Sequence, residues 1–98
     1  MKHIVQFNGY TCEVVKTKYV HGNNTALRLV DHETKEPIAV ATINPSNDTA
    51  LRSDEVIIKD YSENSGMLDT LIKGNIVSEP FGYYRVGLVE APICNLLI

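Results

Sequence analysis

The sequence predicts an α+β fold: an antiparallel sheet of five to six strands with one helix, about residues 61–73, packed on one face. Three observations predict it. Short segments of alternating apolar and polar residues recur along most of the chain. Turn-forming clusters separate them, beginning with Asn8-Gly9 and His21-Gly22-Asn23-Asn24. A convincing helical stripe occurs once, at Met67, Leu68, Leu71 and Ile72. The 98 residues suffice for one hydrophobic core and not two, so residues 1–98 read as a single domain.

Residues 3–7 read as the first strand, with His3, Val5 and Phe7 on one face, and Asn8-Gly9 turns it into a hairpin. The returning strand covers Tyr10 to Val20, where Tyr10, Cys12 and Val14 alternate with Thr11, Glu13 and Val15. Thr25 to Asp31 forms the third, Leu27 and Leu29 on one side, and His32 to Glu36 forms a hairpin loop. Pro37 suits a strand's first position, and Ile38 to Ile43 is apolar enough for a central strand.

Asn44 to Arg52 has the composition of a mobile surface loop with room for a helical turn. Glu55 to Lys59 is a short strand, after which Asp60 caps the helix with Glu63 reaching back; Ser62 and Asn64 are alternative caps. Gly66 within the pattern favours a later start or a frayed first turn, and Gly74 is expected to end the helix in the left-handed conformation. Ile76 and Val77 fold back, Pro80 and Gly82 mark a turn, and Tyr83 to Glu90 reads as the last strand. Pro92 then breaks the ladder before an apolar tail.

Composition narrows the function. A formal net charge of −3 disfavours a phosphate backbone as the main partner. The nearest approach to a basic strip is Lys16, Lys18, His21 and Arg28, in which Lys16 and Lys18 also read as solvated ends of one strand face. Cys12 and Cys94 have no zinc or redox spacing, so free thiols and a cytoplasmic location are expected. The segment Met1 to Gln6 lacks the apolar run of a signal peptide, and no window approaches a membrane span. In the cytoplasm the Asn23 and Asn47 glycosylation patterns carry only turn chemistry.

No catalytic or cofactor motif emerges. The three histidines, His3, His21 and His32, lack metal-ligand spacing, and neither a glycine-rich phosphate loop nor a G-x-S-x-G elbow is present. A Cys12–His3 pair across the first hairpin is the one nucleophile arrangement to weigh, against Cys12 as an inert packing residue. No cofactor, metal site or catalytic residue is assigned.

Two surfaces are candidates for a partner. Between Asp48 and Asp69, the carboxylates Asp48, Asp54, Glu55, Asp60, Glu63 and Asp69 outweigh Arg52 and Lys59, a local balance of −4. Such a row imitates a phosphate backbone toward a basic partner, or else serves a helix N-terminus and solvates a loop. The second is Tyr83 and Tyr84 beside Arg85, residue types enriched at interfaces, against ordinary strand packing.

The stretches Pro37 to Asn44, Asp54 to Leu68 and Val89 to Cys94 resemble a family of small uncharacterised bacterial proteins found on phages and conjugative elements. The resemblance implies an accessory protein that binds a host- or element-encoded protein, and it carries no functional residues. The sequence therefore points to a non-enzymatic cytoplasmic protein-binding protein, acting through the acidic loop-helix surface or the tyrosine-bearing last strand. A small ligand-binding domain or enzyme with a pocket between helix and sheet is the alternative, and a homodimer through an exposed edge strand is a third reading.

Overall fold

A computed structural model describes residues 2–46 and 51–98. The expected Asn47 turn and the acidic Asp48 lie outside the described residues, as does the middle of the predicted 44–52 loop. The elements run β1 (Ile4–Phe7), β2 (Tyr10–Lys18), β3 (Thr25–Asp31), β4 (Pro37–Val40), β5 (Thr42–Ile43), β6 (Glu55–Ile58), a 3₁₀ turn (Ser62–Asn64), α1 (Met67–Lys73), β7 (Gly82–Val86) and β8 (Val89–Asn95).

Among the described residues the α+β class and the one α-helix stand, but the single sheet does not. Two four-stranded antiparallel sheets form, ordered β1-β2-β3-β4 and β5-β6-β8-β7. The run Ile38–Ile43, expected as one central strand, supplies an outer strand to each. Ala41 is the joint: its N–H donates to Leu27 C=O (2.8 Å) and its C=O accepts from Lys59 N–H (2.9 Å), so one residue serves both sides. Below it, Val40 faces Arg28 of β3, and above it, Thr42 faces Ile58 of β6. Thr42 Oγ1 braces the bend by accepting from Leu27 N–H at 3.2 Å.

The alternation read in the first half is realised in register. Val5 faces Cys12 and Val14 faces Leu29, and all four side chains are buried. Asn8 and Gly9 have φ of 50° and 83°, the positive values a type I′ hairpin turn needs. The buried cluster takes Val5, Val14 and Leu29 from the first sheet, Val56, Ile58 and Cys94 from the second, and Met67 and Leu71 from the helix. Ile57 and Ala91 are also fully buried, but outside that cluster.

The helix is shorter than expected. Gly66, with φ of 94°, is its N-cap rather than an interior residue, so α1 begins at Met67 after a separate 3₁₀ turn. Asp60 still caps it from a distance, its Oδ1 accepting Leu68 N–H at 2.8 Å. At the other end Gly74 is not left-handed (φ −82°); Asn75 is, at φ 58°. Ile76 N–H to Leu71 C=O (2.9 Å) and Asn75 N–H to Ile72 C=O (3.0 Å) make a Schellman closure, with buried Leu71 and Ile76 at its two ends. Gly74 is needed for a different reason: a Cβ there would stand 2.7 Å from Val5 Cγ1 on β1.

The expected last strand, Tyr83 to Glu90, is two strands. Gly87 (φ 59°) and Leu88 form a two-residue turn between the paired Val86 and Val89. Pro92 does not break β8: pairing to β6 ends at Ile57↔Ile93, one residue short of it, so its missing N–H costs that ladder nothing.

Candidate functional site

The acidic segment is largely committed to the molecule's own structure. Glu55 Oε1 accepts Arg52 N–H (2.9 Å), Asp60 caps α1, and Glu63 pairs with Lys59 Nζ (2.6 Å). Lys59 and its hydrogen bond hold the Glu63 carboxyl below its ordinary range, while Glu63 raises Lys59. Asp69 pairs one helical turn away with Lys73 (2.9 Å). Asp54 is exposed, and its side chain forms no ion pair among the described residues. The row of carboxylates is thus mostly a set of local clamps.

The tyrosine-bearing candidate is split by strand alternation. Tyr83 is 62% exposed, whereas Tyr84 turns to the other face, where its hydroxyl accepts Ser46 N–H at 3.2 Å. Phe81 and Arg85 share the Tyr83 face by their spacing, and both are exposed. Leu88, at the hairpin tip, is 99% exposed. Neither Phe81 nor Leu88 signals exposure in sequence: Phe81 falls in the Pro80–Gly82 turn, and Leu88 continues the alternation of Tyr84 and Val86. Since β7 ends the order β5-β6-β8-β7, its outer backbone edge is unpaired by any strand among the described residues.

The nucleophile arrangement is not assembled. Cys12 is fully buried, its Sγ set 3.7 Å from Tyr10 C=O, and burial followed by Asp31 raises its pKa. Cys94 is also buried, and burial, with a smaller contribution from Glu79, pushes its thiol up to about 11. Both remain protonated at neutral pH, the unreactive form. His3 is placed opposite Val14, to which its carbonyl accepts an N–H bond (2.8 Å).

A groove of about 390 Å³ does lie between α1 and β1, where the pocket of the ligand-binding reading was expected. Its charged lining is Asp69 and Lys73, which neutralise one another. Among the described residues no three His, Cys, Asp or Glu side chains come together as metal ligands, and no helix is long and apolar enough to cross a membrane. A scan against family models, a search of curated proteins and a search of solved structures return no significant match.

Proposed function

We propose that this chain is a non-enzymatic protein-binding module whose partner docks on the β7–β8 hairpin. One observation carries the reading: Tyr83 on the edge strand β7, Phe81 just before it and Leu88 at the hairpin tip are 62%, 54% and 99% exposed. Exposed apolar side chains cost free energy until covered, at about 25 cal/mol per Å² of apolar area. An open strand edge offers backbone hydrogen bonds to an added strand. The partner segment is an extended one with apolar side chains over Phe81 and Tyr83 and an acidic residue toward Arg85.

The acidic segment contributes less, because most of its carboxylates already have partners. The mobile-element association rests on the sequence resemblance and names the partner's class, a host- or element-encoded protein. The cytoplasm is the compartment assumed, on the strength of two buried free cysteines.

A photo-crosslinking residue placed at Tyr83, and separately at Glu63, tests this in the native cell. An adduct to one defined protein at position 83, absent at 63 and lost on Phe81→Ser with Arg85→Glu, supports the proposal. Adducts at 63 alone, or at neither position, overturn it. An adduct only to a second copy replaces the foreign partner with a homodimer.

A further inference from the structure

Away from the hairpin, the outer face of the first sheet carries a second concave feature. Register places Val15 opposite Arg28 and Arg28 opposite Val40, a row of exposed side chains on the face away from buried Val14, Leu27 and Leu29. One step along, Ala26 points outward opposite Thr17 yet is only 3% exposed. The cover is consistent with Tyr19, which reaches from beyond the end of β2 to set its hydroxyl 2.8 Å from Thr42 Oγ1 on β5. The result is a groove of about 390 Å³, lined by Val15, Ala26 and Val40 with Tyr19, Lys18 and Arg28 around them. That volume falls within the roughly 300–1,000 Å³ of small-molecule sites.

Its electrostatics run against those of the whole chain. The formal net charge is −3, yet among the described residues the groove is lined by two cations and no carboxylate. Neither Lys18 nor Arg28 forms an ion pair among the described residues. The basic strip seen in the sequence is thereby divided: Lys16 Nζ is turned to the Ile98 carbonyl (3.1 Å), Arg28 shares the groove's face, and Lys18 borders its end from the alternate strand position.

We infer that this groove binds a small amphipathic carboxylate, its charge on Arg28 and its acyl or aryl body across Val15, Ala26 and Val40. A guanidinium offers a planar fork of donors that matches a carboxylate two bonds at a time, and Lys18 adds positive field. The apolar lining favours an apolar body over a bare ion. Phosphate sites draw on free backbone N–H groups at loops or helix starts, whereas the strands here run their backbone groups into the β2–β3 and β3–β4 ladders.

Titrating the full chain with octanoate, octanol and inorganic phosphate, read by backbone amide NMR shifts, tests the inference. Saturable octanoate shifts confined to β2, β3 and β4 are expected, with octanol and phosphate each far weaker. Arg28→Gln should weaken octanoate roughly tenfold, the scale of one lost charged hydrogen bond, and Val40→Glu should abolish it. Arg85→Gln on the hairpin should change nothing, which separates this site from the docking surface. Unsaturable or dispersed shifts, equal affinity in Arg28→Gln, or phosphate binding as tightly as octanoate would each overturn it.

Discussion

The acidic segment and the closing hairpin look equally promising in sequence, one by charge density and the other by its tyrosines, yet the fold uses them in opposite ways. Between Asp54 and Asp69, Glu55 and Asp60 bond to the molecule's own backbone and Glu63 and Asp69 to neighbouring lysines at the surface, with Asp54 left exposed. In the second, Phe81, Tyr83 and Leu88 turn their side chains outward. A conspicuous composition is therefore weak evidence of a binding surface until its partners within the chain are known. Substitutions in the first region should cost stability, and in the second they should cost only association.

The largest effect expected is at Asn64, 2% exposed, whose Nδ2 donates to Val40 C=O at 2.7 Å and ties the 3₁₀ turn to the bent strand. Asn64→Leu removes that donor and should cost about 1–3 kcal/mol, a melting-temperature drop of roughly 4–8 °C per kcal/mol. An unchanged melting temperature would show the segment is not structural. Asp60→Ala should cost about 1 kcal/mol through the lost cap on Leu68, measured by urea unfolding; no loss there would return Asp60 to the pool of free surface charge.

Next comes alkaline pH. The folded-state pKa of Cys94, about 11, lies above the ordinary thiol value of 9.0. The stability it protects is fully present below the ordinary value and is lost as pH rises toward the folded one. Melting scans should therefore fall between those two pH values and flatten in Cys94→Ala, while thiol reagents label neither cysteine in native protein at neutral pH. Smallest of all, Phe81→Ser and Leu88→Ser should change stability by within about 0.5 kcal/mol while abolishing the adduct from a crosslinker at position 83. A large destabilisation would mean that these side chains are packed, and the contrast between the regions would collapse.

Local features were legible in the sequence because local chemistry decides them. Asn8-Gly9 can hardly do anything but turn, and Val5, Phe7, Cys12, Val14, Leu27 and Leu29 alternate as buried strand residues should. What escaped depends on distant partners. Nothing in Val40-Ala41-Thr42 announces that Leu27 will take its bond on one side and Lys59 on the other, so a bent strand reads as a straight one. Gly87-Leu88 was absorbed into an alternating run because Leu88 looks like a buried member of it. Gly74 was read as a backbone requirement, while its real constraint is the Val5 methyl beside it. Of the candidate site, Tyr83 and Arg85 were visible in advance; that Tyr84 serves Ser46 instead needed the strand's facing to be known.

The shared residue Ala41 also bears on how the molecule comes apart. With β4 and β5 separated by that one residue, bonded on both sides, there is no slack linker along which either sheet could peel away alone. Amide exchange in β3 and β6 should thus proceed through a common opening event, at one free energy. The bend thus sets Val40 of the groove one residue from the sheet that carries the hairpin, joined through Ala41.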